Sequence, residues 1–319
     1  DLELELVARL PLEGEQEPGE TTVPARKLVD IAKSLPAEAD IRFEVDGERM
    51  LVRSGRSRFT LSTLPASEFP NLEEDAAGSR LEMKPDVLRG LIDRTAFSMA
   101  QQDVRYYLNG MLFELKPGRL RAVATDGHRL ALCDAELDAP VEEASVILPR
   151  KGVMELSRIL GDSGEAARLT IGRNHVRIVV GAITFTSKLV DGKFPEYDRV
   201  IPKEGSRKVV ADRETLRQAL ARVAILSNEK YRGVRVQLSE GSLRIVANNP
   251  EQEEAEEEVS VDFNGSPLEI GFNVSYLLDV LNTMGGTQAE LEMGDSNSSA
   301  LVFDPESKAA VYVVMPMRL

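Results

Sequence analysis

Hydrophobic positions along the chain follow two different periods. In some runs apolar and polar residues alternate, as at 2–6 and 119–132, and this period of two is typical of half-buried β-strands. Between these runs, apolar residues recur every three to four positions, which is typical of amphipathic helices. We predict five helices, at residues 24–34, 84–97, 149–160, 212–225 and 272–284. The pattern therefore predicts an α+β protein.

The helical segments repeat at a nearly constant spacing. Those that open at Pro24, Pro149 and Asn273 each place an acidic residue between two apolar ones, and they start about 125 residues apart. Other segments align at similar spacing: 84–96 with 212–224, and 61–64 with 186–189. Chance likeness between amphipathic helices would explain one such pair, but not several pairs that share one offset. We predict one unit of two helices packed on antiparallel sheets, used three times.

The repeat also predicts domain boundaries, which give domains at 1–77, 78–202 and 203–319. Asp126 lies about 47 residues into the second unit, and Asp1 is its partner one repeat earlier. The chain also begins with Asp1 rather than Met. We therefore expect the first domain to be incomplete and to lack its first 47 or so residues.

Length and composition limit the class of protein. A chain of 319 residues exceeds what one hydrophobic core usually serves. No apolar run approaches the roughly 20 residues that span a bilayer, so we expect no membrane partner. The one cysteine, Cys133, cannot form a disulfide within the chain. This favours a reducing, cytoplasmic location.

The charge is unevenly distributed. A net charge of −14 by itself argues against nucleic-acid binding, because neutralising phosphates needs clustered Lys and Arg. The five predicted helices, however, carry twelve basic and seven acidic residues and are about +5 together. Lys and Arg are also good helix formers on any solvated face, which leaves a simpler explanation open. The distribution suits a basic helical surface that faces DNA and an acidic exterior.

The sharpest charge feature is the acidic run 251–258. It is a weak metal site, because no histidine or second carboxylate cluster completes it. It is either a solvated strand or loop, or a contact that needs a basic partner. A head-to-tail dimer of two copies would supply that partner from the first unit. The candidate dimer-interface residues are Lys27, Arg49, Arg56, Arg58, Phe59, Leu61, Ile225, Leu226, Glu251, Glu254 and Glu257.

Six longer stretches are more specific than any single motif. They are QQDVRYYLNG at 101–110, ATDGHRL at 124–130, PRKG at 149–152, FPEY at 194–197, SNEKYRG at 227–233 and YVVMPMRL at 312–319. In order and spacing the chain resembles the bacterial DNA polymerase III beta subunits from end to end. The resemblance implies the DNA-clamp fold and a homodimeric ring whose helices surround duplex DNA. It also implies a non-catalytic processivity factor for DNA replication.

The resemblance further implies a pocket for short peptides between the second and third domains. Its partners would be the DNA polymerase III alpha subunit, the clamp loader delta subunit, and other polymerases and repair proteins that carry clamp-binding peptides. Apolar walls that include Met suit motifs from many partners. From the residues alone, an ordinary core or edge strand is the favoured interpretation of the C-terminal run. The implied pocket residues are Leu108, Thr125, Gly127, His128, Arg129, Leu130, Pro195, Arg199, Val200, Asn273, Tyr276, Ser299, Val313, Val314, Met315, Pro316 and Met317.

For double-stranded DNA, the resemblance indicates Gln102, Tyr106, Tyr107, Arg150 and Lys151. Such contacts hold the duplex by its phosphates and are independent of sequence. The two tyrosines could instead belong to the core of a strand.

Two other classes of function stay open on the residues alone. One is a hydrolase that uses His128 with Asp126, and the other is a carbohydrate- or protein-binding repeat module with no DNA role. We expect no catalytic residue, because the sequence has no phosphate-binding GxxxxGK[ST] motif and no carboxylate pair in a polymerase-like context. We likewise expect no metal and no cofactor.

Overall fold

The structure is a computed structural model that describes residues 2–12, 14, 17–72, 78–138, 140–161, 165–203 and 206–318. The α-helices of these residues are α1 (Ala25–Ser34), α2 (Pro85–Thr95), α3 (Arg150–Ile159), α4 (Arg213–Val223) and α5 (Val274–Thr283). All five predicted helices are confirmed. The predicted ends at 97 and 225 were too long, because the chain tightens there into 3₁₀ turns at Ala96–Ser98 and Ala224–Leu226.

The strands among the described residues are short, and three of them follow each α-helix. They are β1 (Leu4–Ala8), β2 (Arg42–Asp46), β3 (Arg49–Ser54), β4 (Ser57–Ser62), β5 (Ser79–Met83), β6 (Gly110–Lys116), β7 (Arg119–Thr125), β8 (Arg129–Glu136), β9 (Ala144–Pro149), β10 (Ala167–Ile171), β11 (His175–Val180), β12 (Ile183–Lys188), β13 (Arg207–Asp212), β14 (Gly233–Ser239), β15 (Ser242–Asn248), β16 (Glu254–Ser260), β17 (Leu268–Asn273), β18 (Gln288–Met293), β19 (Ala300–Asp304) and β20 (Ser307–Val314).

The order of elements repeats along the chain. A strand, a helix and three strands, followed by the same series again, run from β5 through α2 and α3 to β12. The series recurs from β13 through α4 and α5 to β20, and α1 with β2, β3 and β4 forms half of it. The α+β prediction and the internal repeat are therefore confirmed.

Contacts divide the chain into two compact units, one of Asp1–Glu5 with Arg9–Glu73 and one of Leu6–Ala8 with Glu74–Leu319. In the first unit, strands β2, β3 and β4 form an antiparallel sheet in that order. Its core cluster consists of Met50, Val52 and Leu61. Leu28 and Ile31 of α1 pack against this cluster and are only partly buried.

The second unit is built around an eight-stranded antiparallel sheet in the order β13-β18-β19-β20-β8-β7-β6-β9. Strand β20 pairs with β8, with Val313 opposite Leu130, so the sheet joins the last repeat to the one before it. Successive residues of a strand point to opposite faces. Accordingly Tyr312 and Val314 lie in the core cluster beneath α4 and α5, whereas Val313 packs with Leu130 and Phe194 on the other face.

Each of the two repeats in this unit also has a second antiparallel sheet. One contains β12, β11, β10 and β5 as successive neighbours, and the other has the order β16-β15-β14-β17. Leu216, Ala219, Leu220 and Val223 form the buried face of α4. Asp212 caps this helix by accepting a hydrogen bond from the backbone of Thr215 at 2.8 Å. Of the described helices, none is long and apolar enough to cross a membrane.

Candidate peptide pocket and DNA-facing loop

The turn between β7 and β8 is held in one conformation by its own side chains. Asp126 Oδ1 accepts hydrogen bonds from the backbone nitrogens of His128 at 2.9 Å and Arg129 at 3.0 Å. The hydroxyl of Thr125 donates to the Arg129 carbonyl at 2.6 Å and accepts from Gly127 at 3.1 Å. Gly127 has a φ of 88°, which favours glycine. The turn therefore divides the predicted alternating run 119–132 into two strands.

The Arg129 side chain connects this turn to α5. Its Nε donates to Asp126 at 3.0 Å and its Nη1 to Asp279 at 2.5 Å. Its Nη2 donates to the carbonyl of Phe97 at 2.8 Å. The guanidinium also lies over the ring of Tyr276, 4.5 Å from the centroid. The side chain is only 12% exposed, so these contacts fix where Tyr276 stands.

The C-terminal segment after β20 crosses the same place. The backbone nitrogen of Met315 donates to the His128 carbonyl at 3.0 Å, and that of Met317 donates to Gly271 at 2.9 Å. Met315, Pro316 and Met317 are half-buried. The His128 ring stacks on Tyr276 with centroids 6.5 Å apart. The tail therefore forms one wall beside this stacked pair.

One end of the candidate site is polar. Asn273 caps α5, its side-chain oxygen accepting a hydrogen bond from the backbone of Ser275 at 2.9 Å. Tyr276 follows in the first turn of that helix. Burial raises the pKa of the Tyr276 phenol. The phenol is protonated at physiological pH, as in any tyrosine, and can donate a hydrogen bond.

The other end is apolar. Val313 and Leu130 belong to a buried cluster that includes Phe194 and Tyr197. Leu108 is 2% exposed. Three further predicted residues, Pro195, Arg199 and Val200, are exposed and adjoin Phe194 and Tyr197 in sequence. Ser299 precedes β19 and is half-buried; its neighbour Ala300 pairs with Val314.

Most of the residues predicted for the pocket therefore converge on the junction of β8, β20, α5 and the tail. Sequence reasoning missed two of their partners, Phe97 and Asp279, which hold Arg129 in place. Asp279 was visible only as the acidic residue of the repeated helix pattern. Its link to Arg129 spans 150 residues, and no local signal indicates it.

The five predicted DNA-facing residues belong to two segments that meet at one hydrogen bond. They sit in the loop 101–109 and at the start of α3, and the backbone nitrogen of Arg150 donates to the Asn109 carbonyl at 2.9 Å. Gln102 is exposed at a φ of 57°, and Lys151 is exposed in the first helical turn. Tyr106 is 57% exposed.

The alternative that the two tyrosines form a strand core is wrong. The chain forms a 3₁₀ turn at Tyr106–Leu108, ahead of β6. Tyr106 points into solvent, whereas Tyr107 is half-buried against the cluster of Val313 and Leu130. The two rings meet edge to face with centroids 5.7 Å apart.

An internal ion pair shapes this loop. Arg105 donates to both carboxylate oxygens of Asp103, at 3.0 and 2.8 Å. The hydrogen bond from Arg105 lowers the pKa of Asp103 to about 2. Arg105 also donates to the Asp126 carbonyl at 3.3 Å and lies over Gly127, where a Cβ would come within 3.0 Å of the guanidinium. The loop is therefore tied to the pocket turn.

The predicted basic helical surface is only partly correct for α4. Arg213 does not lie beside Arg217 on an open face, because its guanidinium donates to the carbonyls of Leu281 at 2.8 Å and Gly286 at 2.6 Å. Arg217 pairs with Glu214, and Arg222 with Glu257. Counting charges overstated the basic surface of this helix, because its arginines bond within the chain.

Residues 254–258 of the acidic run lie in β16, the first strand of its sheet, and residues 251–253 precede it. A strand here is compatible with both interpretations, a solvated surface and a contact with a basic partner. Glu256 pairs with Arg244 at 2.5 Å, and Arg222 lowers the pKa of Glu257 by hydrogen bonding to it. Glu251 and Glu254 are exposed. Part of the acidic charge is thus already balanced within the chain.

The other candidate interface residues differ in exposure. Ile225 is 75% exposed, and Leu226 beside it is half-buried. In the first unit the basic candidates Lys27, Arg49, Arg56 and Arg58 are exposed. Phe59 is partly buried, but Leu61 is 6% exposed and belongs to the core cluster of that unit. Leu61 therefore supports the sheet from inside.

The geometry also bears on an enzymatic alternative. Both carboxylate oxygens of Asp126 bind the backbone or Arg129, so this carboxylate serves the turn. Over the residues that the structure describes, no group of three or more His, Cys, Asp or Glu is arranged to hold a metal ion.

Comparison with known proteins gives one consistent result. Family profiles match residues 1–73, 82–196 and 198–318 as the N-terminal, central and C-terminal domains of the DNA polymerase III beta subunit. The chain is 60% identical to the beta sliding clamp of Pseudomonas putida and 55% identical to that of Escherichia coli K12. Each alignment covers all of this chain and 87% of the relative.

Solved structures agree with the sequence relatives. A DNA polymerase sliding clamp from Pseudomonas aeruginosa, crystallised with a ligand, superposes with a TM-score of 0.98 at 58% identity. Caulobacter crescentus pol III beta superposes with a TM-score of 0.92 at 39% identity. Both comparisons cover all of this chain and 87% of the other. The chain therefore belongs to the DNA polymerase III beta subunits, the beta sliding clamp family.

Proposed function

We propose that this chain is a non-catalytic DNA sliding clamp that acts in the cytoplasm. Two copies pair head-to-tail into a ring around double-stranded DNA, and the ring tethers replication and repair proteins. The observation that carries the proposal is the pocket at the junction of β8, β20, α5 and the tail. We assign the three domains to residues 1–77, 78–202 and 203–319.

The pocket suits a short peptide with one polar and one apolar end. Asn273 and Tyr276 supply polar groups at one end, and Leu108, Val313 and Val200 supply an apolar wall at the other. Peptide sites are usually apolar with a few fixed polar anchors. We propose that clamp-binding peptides of the DNA polymerase III alpha subunit, the clamp loader delta subunit and other polymerases and repair proteins dock here.

The DNA contacts would come from the loop 101–109 and the start of α3. Arg150 and Lys151 occupy the first turn of α3, where the helix dipole adds positive potential. Gln102 and Tyr106 stand exposed beside them. These groups favour phosphates without reading bases, as a protein that slides along DNA requires.

Ring closure would use two outer strands. The acidic strand β16 and the exposed Ile225 belong to the last repeat. Strand β4 of the first unit carries Arg58 and Phe59, and Arg56 directly precedes it. Opposite charges on outer strands favour pairing between two copies over pairing of like strands. Glu251 and Glu254 would face Arg56 and Arg58 of the partner copy.

The peptide site is tested by fluorescence polarisation with a labelled pentapeptide of the Gln-Leu-x-Leu-Phe type. We expect a Kd in the low-micromolar range or weaker, and loss of binding when residues 315–319 are deleted. Lys308→Ala, at the exposed start of the same strand, is the matched control and keeps the affinity. Unchanged affinity after the deletion would contradict the pocket assignment.

The ring is tested by retention on DNA after loading by a clamp loader. We expect the protein to stay on closed circular DNA in high salt and to be released when the circle is linearised, because retention is topological. Size-exclusion chromatography with light scattering should give a molar mass twice that of one chain. Equal retention on circular and linear DNA, or none on either, would favour a protein-binding module without a DNA role.

A further inference from the structure

A second groove lies beside the C-terminal tail. It has a volume of about 560 Å³ and lies between the start of β14, the end of β15 and the tail. The pocket proposed for partner peptides does not include it. The side chains that matter here are Tyr231, Arg235, Asn248, Glu254, Met317 and Arg318.

The groove adjoins the peptide pocket at Met317. Met317 is half-buried, and its backbone nitrogen donates to Gly271, so the tail is fixed between the two sites. The same residue lines the groove, and Arg318 follows it there. A peptide that leaves the polar end of the pocket along the tail therefore enters the groove.

One cationic side chain of the groove, Arg235, is available to bind a carboxylate of a ligand. The Nε of Arg235 lies 3.4 Å from Glu269, and its side chain is 46% exposed. Arg244 lies on the neighbouring strand and provides a contrast, because its guanidinium meets both oxygens of Glu256 at 2.5 Å. An ion pair as long as that of Arg235 is readily exchanged for a carboxylate of a ligand.

An aromatic ring and an amide complete the lining. Tyr231 is 56% exposed, and the Lys230 ammonium lies 5.1 Å from its ring centroid. An exposed aromatic ring adjoining a cleft is a common anchor for peptides. Asn248 offers an amide that hydrogen-bonds a peptide backbone in either direction. Glu254 lies on the β16 side of the groove and is also the residue that we propose to face the partner copy, so a ligand's carboxylate belongs on the other side, at Arg235 and Arg318.

We propose that this groove binds the residues of a partner that precede its docked peptide, and that it selects an acidic side chain there. The inference rests on the proposed peptide site. The peptide begins with a polar Gln and ends with apolar residues. Its apolar end matches the wall of Leu108 and Val313, so its start lies towards Tyr276 and Met317, next to the groove.

The test compares three labelled peptides by fluorescence polarisation on the intact chain. One is the Gln-Leu-x-Leu-Phe core, one adds four residues that include two Asp before the Gln, and one carries Lys in place of those Asp. We expect the acidic extension to bind roughly three- to tenfold tighter than the core, and the Lys extension to gain nothing. Arg235→Gln should remove the gain and leave the core peptide's Kd unchanged. Arg244→Gln is the matched control and should retain the gain.

The outcomes separate the two proposals. If the core peptide binds and the acidic extension adds no affinity, or if the gain survives in Arg235→Gln, the groove assignment is overturned while the peptide site stands. If the core peptide itself does not bind, the proposed function fails.

Discussion

The two compact units use the same elements but bury very different amounts of apolar surface. Among residues 2–72 that the structure describes, the fully buried apolar side chains are Met50, Val52 and Leu61. Helix α1 contributes only half-buried residues to that cluster. By contrast α5 buries Val274, Leu277, Val280 and Leu281. A repeated pattern of helix and strands therefore does not give repeated stability.

This contrast has a functional meaning. The pocket turn, α5 and the tail all lie in the second unit, where large core clusters hold them. A binding site needs side chains fixed to within a fraction of an ångström, which a dense core provides. The first unit carries charges and Phe59 on a small sheet, which suits a surface that associates with a second copy.

The largest expected difference is in local stability. Hydrogen exchange measured by mass spectrometry should find amides of β2, β3 and β4 roughly a hundredfold less protected than those of β14 and β15. The physical reason is the smaller apolar area that opening of the first sheet exposes. Rates should be corrected for the intrinsic exchange of each peptide. Equal protection of both sheets would show that the two units do not differ in local stability.

The next prediction concerns single core residues. Phe272 is 1% exposed in the large cluster, and Phe272→Ala should lower the free energy of unfolding by about 3–5 kcal/mol. Val104 is 95% exposed, and Val104→Ala is the control, with a change of less than about 0.5 kcal/mol. Urea unfolding followed by circular dichroism measures both. A loss for Phe272→Ala as small as the control's would mean that the cluster is not packed as described.

Comparison of the fold with its prediction shows where periodicity is informative. The five helices and the repeat follow from spacing of apolar residues, because one buried face is enough to select a helix. Periodicity does not show which strands meet, and so it missed that β20 joins β8. The inward turn of Arg213 towards the Leu281 carbonyl was missed for the same reason, since a tertiary partner decides it.

The candidate site was predictable in part. The resemblance indicated the residues of the pocket, including Arg129, without its partners. Asp279 and Phe97 come from helices distant in sequence, and only the folded chain brings them to one guanidinium. The sequence did not predict whether Tyr106 is buried or exposed, because two adjacent aromatic residues ahead of a strand occur in both environments.

Arg129 is a polar residue on which the stability of the second unit depends. Arg129→Met keeps the length of the side chain and leaves Asp126 and Asp279 without their cation. We expect the free energy of unfolding to fall by about 2–3 kcal/mol, because partly buried carboxylates lose their partner. Peptide affinity should fall more than tenfold, since Tyr276 loses its support.

Arg158→Met is the matched control for this prediction. Arg158 is 72% exposed and pairs with Glu155 on the surface of α3. Surface ion pairs contribute about 0–1 kcal/mol, so neither stability nor peptide affinity should change appreciably. If Arg129→Met changed stability and peptide affinity as little as this control, the ion pairs of Arg129 would contribute no more than a surface pair, and the pocket would not depend on them.

The smallest effect is a pH dependence in the loop 101–109. The pKa of Asp103 is lowered from 3.8 to about 2 by its hydrogen bond from Arg105. A lowered pKa in the folded state means that the pair stabilises the loop fully above pH 4 and is lost as the pH falls towards 2. At pH 3 the Asp103 carboxylate should therefore still be ionised, whereas an Asp in an unstructured peptide is mostly protonated. Carbon NMR of the carboxyl group measures this, and a midpoint near 3.8 would show that Arg105 does not hold the loop.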